Sequence, residues 1–237
     1  MKTQLLVLAL VAASLTAPAQ KKTADNAPVA TAAAPAGYTD MMAATITELM
    51  STGDPAQLQE ITAKFERAAA VAPADWLPRY YQAYGRLITC FTSKESGDAK
   101  DLLLDQAETA LQQARKLGGD EAELLVLQGY IYQARLGVSP MARSMTYSAK
   151  VKETLAAAKK LDPANPRAYL VEANNVYYTP KMFGGGPEAA KPLYDEAKAR
   201  FAAFKPSGPL APNWGERQLN GRLAAYSAKP ADAQAAK

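Results

Sequence analysis

Val151-Lys152-Glu153-Thr154-Leu155-Ala156-Ala157-Ala158-Lys159-Lys160-Leu161-Asp162-Pro163 reads as Val-x3-Leu-x2-Ala-x4-Pro. Small and bulky apolar residues three and four apart share one helix face, and the proline stops that helix a fixed distance on. The same spacing stands earlier as Ile61-x3-Phe65-x2-Ala68-x4-Pro73 and as Ala107-x3-Leu111-x2-Ala114-x4-Gly119. It returns, less completely, as Ala190-x3-Tyr194-x2-Ala197. Recurrence at a spacing of tens of residues predicts a stacked helical array. Such an array offers extended surfaces for holding partners.

A second pattern alternates with the first. It runs Tyr81-x3-Gly85-x2-Ile88, Leu125-x3-Gly129-x2-Tyr132 and Tyr169-x3-Ala173-x2-Val176, with the small residue at equal steps of 44. A small residue there lets the paired helix approach closely, and the flanking bulky residues fill the groove. Breakers and caps divide the chain into helices over about 41–50, 55–71, 75–91, 98–117, 120–136, 141–161, 165–178, 187–204 and 214–226. No segment alternates like a strand between hairpin turns.

The first 19 residues read as a leader. A short basic start at Lys2 precedes an apolar run from Leu5 to Leu15, and Ala17-Pro18-Ala19 supplies small residues for cleavage before Gln20. The run is too short to span a bilayer, which needs about 20 apolar residues. No cysteine lies near the cleavage site, so no lipid anchor is expected. Residues 20–37 read as a disordered Ala/Pro/Thr spacer, 38–227 as the helical domain and 228–237 as a disordered tail. The protein is therefore expected to be exported, periplasmic or secreted, with no membrane span.

Composition narrows the chemistry further. Without Lys2 there are 26 basic against 23 acidic residues, scattered along the chain. Nucleic-acid binding would want a basic stripe, and none is visible. The chain holds no histidine at all. That removes the usual general base near neutral pH, the Ser-His-Asp and Cys-His nucleophile systems, and the histidine-bearing zinc sites. GxSxG, SxxK, Walker and GxGxxG motifs are also missing. Only carboxylate-pair chemistry stays open, and scattered acids do not argue for it. The single cysteine, Cys90, lies in apolar Leu87-Ile88-Thr89-Cys90-Phe91 and reads as a buried, inert thiol. No catalytic residue, metal or cofactor is expected.

The two alternating patterns together resemble the tetratricopeptide repeat over roughly residues 56–204. The resemblance implies an all-α fold, a right-handed superhelical array of about four helix pairs with a C-terminal capping helix. The period departs from that family, 44 residues here against 34 there. The motif is degenerate, and other helical-repeat classes share it. Locally, Tyr178-Thr179-Pro180-Lys181-Met182-Phe183-Gly184-Gly185-Gly186, with Ala189-Ala190, Leu193-Tyr194 and Pro212-Asn213-Trp214-Gly215, resembles exported helical-repeat proteins of Bacteroidetes type. More distantly it is similar to the TatT component of TRAP transporters, which implies a helical array working beside a solute-binding partner.

In a tetratricopeptide array the concave face is lined by the first helix of each pair. The 44-residue register places Arg79, Gln82 and Arg86, then Val126, Tyr130 and Gln133, then Leu170, Asn174 and Tyr177 there. Arg86, Tyr130, Gln133, Asn174 and Tyr177 are the candidate binding residues, because guanidinium, phenol and amide groups suit a peptide or small polar ligand. The two-lysine, two-asparagine clamp with which some of that family hold C-terminal carboxylates is absent. Gly184-Gly185-Gly186 reads as a sharp turn that tucks Phe183 back onto the array, or else as an anion cradle at a helix start. Pro192 should kink the last repeat helix or delay its start. Trp214 should close the end of the array, and Trp76 should pack in the core or at a cap. The leading expectation is a non-catalytic protein or peptide binder. The alternative is a small-ligand, solute-handling component.

Overall fold

Four of the predicted helix starts are capped as their sequences dictate. Asp54 accepts from Gln57 N at 2.9 Å, Ser96 from Ala99 N at 3.3 Å, Asp120 from Ala122 N at 2.9 Å and Asn165 from Arg167 N at 3.0 Å. A computed structural model describes residues 35–228. The predicted leader 1–19, nearly all of the spacer 20–37 and, but for Ala228, the tail 228–237 lie outside the described residues.

The elements are α1 (Tyr38–Ser51), α2 (Pro55–Val71), α3 (Leu77–Thr92), α4 (Gly97–Lys116), α5 (Glu121–Val138), α6 (Pro140–Leu161), α7 (Pro166–Tyr178), a 3-10 turn η1 (Lys181–Phe183), α8 (Pro187–Ala203) and α9 (Glu216–Ser227). There is no strand among the described residues, so the protein is an all-α helical-repeat array. Each of the first eight helices packs on the next in sequence. Helices α1, α3, α5 and α7 also touch in succession, forming an inner layer. Helices α2, α4, α6 and α8 form the outer one.

The outer helices carry the motif that decided the fold. Ile61, Phe65, Ala68, Ala107, Leu111, Ala114, Val151, Leu155, Ala158, Ala190, Tyr194 and Ala197 are all buried. The inner-layer glycines make the close approaches their spacing predicts, though with different partners. A Cβ on Gly129 would lie 2.9 Å from Leu155 Cδ2 of the helix that follows. One on Gly85 would lie 2.5 Å from Thr62 Oγ1 of the helix that precedes. Trp76 packs edge-on to Tyr80 at 5.6 Å and presses on Gly119 at the end of α4. Cys90 is buried, and burial lifts its thiol to about 11.

The delayed start expected from Pro192 is corrected: α8 starts at Pro187 and runs on through Pro192. Trp214 does not close the end of the array. It lies against the inner layer, stacked on Tyr84 at 4.9 Å and on Tyr130 at 5.7 Å. From there α9 crosses the inner layer: Arg217 donates to Met50 O at 3.2 Å, Gln218 to Tyr130 Oη at 2.8 Å and Arg222 to Tyr178 Oη, while Tyr226 donates to Pro187 O at 2.6 Å.

The Gly129 contact gives a direct test. Gly129→Leu should cost about 1–3 kcal/mol or more through overpacking. Gly97→Leu, whose new Cβ meets only Val138 Cγ1 at 3.4 Å, should cost under about 0.5 kcal/mol. Equal urea midpoints for the two variants would show that α5 and α6 do not meet at Gly129.

Candidate functional site

The five residues expected on one concave face are not gathered there. Tyr130 is buried beneath α9, its hydroxyl taken by Gln218 and its ring flanked by Trp214 and by Phe91 at 5.1 Å. Burial pushes its phenol up to about 12, so it is neutral at physiological pH. Gln133 is buried and reaches Val171 O of the neighbouring α7 at 3.5 Å. Asn174 is buried and accepts from Tyr194 Oη of α8 at 2.7 Å. Arg86 is turned outward, donating to Glu66 of α2 and Gln106 of α4. Only Tyr177 remains part-exposed on the inner layer. Its ring lies 5.1 Å from Tyr178, and Arg222 stands 4.9 Å above it. The C-terminal segment thus occupies the face that the repeat pattern offers for binding.

The surface that stands out lies where α7 turns into α8. Thr179 caps α7, its hydroxyl donating to Asn175 O at 2.8 Å. The chain then folds into η1 through Phe183 N to Pro180 O at 2.9 Å, Gly184 N to Lys181 O at 2.9 Å and Gly185 N to Pro180 O at 3.3 Å. Gly186 N closes the turn on Val176 O at 2.9 Å. A Cβ on Gly185 would stand 2.2 Å from the Thr179 carbonyl oxygen, so only glycine fits. The φ of +81° at Gly184 and +102° at Gly186 make the same demand. Every glycine N–H in the run is engaged within the turn, so the run has no free amides to cradle an anion.

This fixed turn holds its apolar residues outward. Met182 is 83% exposed, Phe183 71% and Tyr178 64%. Phe183 therefore does not tuck back onto the array. The neighbouring cations are Lys181, bridged to Glu188 at 3.2 Å, and Arg222, which hydrogen-bonds the Tyr178 hydroxyl and stands 5.1 Å from the centre of its ring. The site is thus a rigid apolar edge with two aromatic rings, one thioether and two cations. Large apolar side chains in a turn locked by three glycines were the signal for it in the sequence, but helical periodicity does not register residues outside helices. A cleft of about 470 Å³ between α1 and α2, lined in part by Met41, Thr45, Lys64, Arg67 and Val71, is wide open to solvent. Among the described residues no group of acidic residues or cysteine is placed to hold a metal ion, and no helix is long and apolar enough to cross a membrane.

No protein-family model matches the chain, and no curated protein matches it. Among solved structures it is similar to the HusA haemophore from Porphyromonas gingivalis, at 37% identity and a TM-score of 0.71, over 81% of this chain and 94% of that one. The chain belongs to the family of the HusA haemophore. The match supports the expected resemblance to helical proteins of Bacteroidetes type.

The rigidity of the turn is open to measurement. Gly185→Ala should destabilise the protein by about 1–3 kcal/mol through overpacking and speed amide exchange at Gly184 and Gly186. Gly208→Ala, which meets nothing within 4 Å, is the control. Unchanged exchange in Gly185→Ala would mean the turn is not locked by that contact.

Proposed function

We propose that this protein is an exported, non-catalytic carrier that binds a haem-type tetrapyrrole on the apolar turn formed by Tyr178, Met182 and Phe183. The observation that carries the reading is that turn: large apolar side chains held in water by a backbone that cannot relax around them. Each would gain about 1.5–3 kcal/mol on full burial, which a flat apolar ligand supplies. The family neighbour is a haemophore, and a tetrapyrrole has the shape and amphipathic edge that the site fits. Tyr177 and Tyr178 offer ring faces for stacking, and Arg222 and Lys181 are placed to pair with the carboxylates at one edge of the macrocycle.

The donor set says how such a ligand is held. With no histidine in the chain and Cys90 buried, the turn's own possible iron donors are the Tyr178 phenol and the Met182 thioether. Contact with the face of the macrocycle, rather than a strong bond to iron, then supplies most of the affinity. This reading favours the small-ligand alternative over a peptide partner, because Tyr130, Gln133 and Asn174 already bond within the fold.

The test is a titration of the purified protein with haem and with metal-free protoporphyrin, followed by the Soret band. Both should saturate, with dissociation constants within about tenfold of each other, or about 1.4 kcal/mol. Phe183→Ala and Met182→Ala should each weaken binding about tenfold at unchanged melting temperature. A double variant that binds haem normally, or a wild type with no saturable binding, would refute the proposal.

A further inference from the structure

Helix α9 is held to the array by little. Of its 12 residues only Leu219 is buried, and Leu223 and Tyr226 are part-buried against the core. Asn220 and Gly221 stand in its middle, and both are weak helix formers. A helix of this length is marginal in water on its own, so α9 keeps its form through docking. Four side-chain hydrogen bonds tie it down: Gln218 to the Tyr130 hydroxyl, Arg222 to the Tyr178 hydroxyl, and Arg217 and Tyr226 to the Met50 and Pro187 carbonyls. Water replaces such bonds when a segment lifts, so each contributes little net. Segments with few buried apolar contacts are the first to open.

The chain just before α9 is fixed by contrast. Trp214 donates to Tyr80 Oη at 2.8 Å and stacks on Tyr84 and Tyr130. Gly215 follows with a φ of +111°, and a Cβ there would lie 2.8 Å from Phe201 Cζ. The change from firmly held to loosely held chain therefore falls at Gly215, and α9 can swing from Glu216 onward while Trp214 stays.

What α9 covers bears on the turn beside it. Arg222 lies over the rings of Tyr177 and Tyr178, 4.9 and 5.1 Å from their centres. Tyr226 stands edge-on to Tyr177, with 6.5 Å between centres. A flat ligand and the Arg222 guanidinium cannot share one ring face. We infer that α9 is a strap: through Arg222 it closes the faces of Tyr177 and Tyr178 in the free protein, and it lifts about Gly215 when a tetrapyrrole binds. Arg222 then passes from the Tyr178 hydroxyl to a ligand carboxylate. This role rests on the carrier reading of the Tyr178–Phe183 turn and adds its regulation. Strap docking and ligand binding are linked, because only the open fraction of the protein binds. Loosening the strap tightens binding, and stiffening it weakens binding.

The experiment titrates metal-free protoporphyrin into wild type, Leu219→Ala and Gly221→Ala, and follows amide exchange with and without it. Leu219→Ala removes the one buried anchor of α9. Gly221→Ala raises helix propensity, and its new methyl meets nothing within 4 Å. Leu219→Ala should bind about threefold or more tighter than wild type, and Gly221→Ala about threefold or more weaker. Exchange in α5 should be unchanged in both. Without ligand, amides 219–227 should exchange faster than those of α5 and α7, and saturation with protoporphyrin should speed them further. Equal affinities in the three proteins, the reverse order, or slower exchange of 219–227 on saturation would overturn the strap and leave the carrier reading standing. Saturable binding in none of the three would overturn both. Should Leu219→Ala speed exchange in α5 as well, the order of wild type and Gly221→Ala decides alone.

Discussion

The carboxylate of Glu123 is buried in the first turn of α5 and receives hydrogen bonds from three other residues. Asn165 Nδ2 donates at 2.7 Å, Tyr80 Oη at 3.2 Å, and Arg167 through Nε at 3.0 Å and through Nη2. Arg167 is the largest fully buried side chain described. Desolvating two charges is costly; the Glu123 oxygens and Arg167 Nε and Nη2 find partners that offset this, while Arg167 Nη1 is buried with no hydrogen-bond partner. Burial, and then the Glu123 charge, hold the Tyr80 phenol well above its usual range, so it stays a neutral donor. Tyr80 in turn accepts from Trp214 Nε1 at 2.8 Å. The Arg167 guanidinium lies 4.6 Å from the centre of the Phe204 ring. One charge pair therefore ties α3, α5, α7 and the C-terminal segment together. Removing one partner would leave the other charged and buried, which costs about 3–5 kcal/mol in comparable cases.

That network explains why the inner layer is not a free groove. Trp214 must reach Tyr80 for the network to close, and in doing so it covers Tyr84 and Tyr130. The Tyr81 hydroxyl, which donates to Leu210 O at 2.9 Å, draws the preceding loop into the same place. A repeat array normally presents its inner layer to partners, but here the chain's own end fills it. The binding edge proposed above lies instead at the margin, where α7 hands over to α8 and the backbone is held by glycine geometry instead of helical packing.

The outer-layer pattern was fully legible, because burial of small and bulky residues at fixed spacing is what the spacing encodes. Helix ends were legible to within about three residues, since Asp, Ser and Asn caps, prolines and glycines mark them locally. The inner face was misread for a physical reason. Rotation of Arg86 outward follows from Gly85 pressing on Thr62 of α2, while Gly129 presses on Leu155 of α6, so equal sequence steps do not give equal orientation. A different signal did lie in the same register: Glu123 and Arg167 are 44 residues apart, one repeat step, with opposite charges near the starts of successive inner helices. Likewise Gln218 and Arg222 stand four apart, the spacing of residues that point the same way from a helix, and both reach inner-layer tyrosines, as does Trp214 just before α9.

The absence of histidine and the filled inner layer act together on function. A deep pocket around a tetrapyrrole would need enclosed apolar volume that Trp214 and α9 already occupy. The imidazole, a common axial donor to haem iron, is missing from the chain, which leaves the Tyr178 phenol and the Met182 thioether at that turn. On the proposed reading, contact would run along an exposed edge, with affinity from apolar area and two cations and with one side of the ligand left in water. Such an arrangement favours exchange over permanent retention, because fewer contacts must break before the ligand leaves and affinity differences act mainly through the off-rate. The rigidity of Gly184-Gly185-Gly186 would offset part of the lost enclosure on that reading, since a turn already fixed in shape loses little conformational entropy when a ligand arrives.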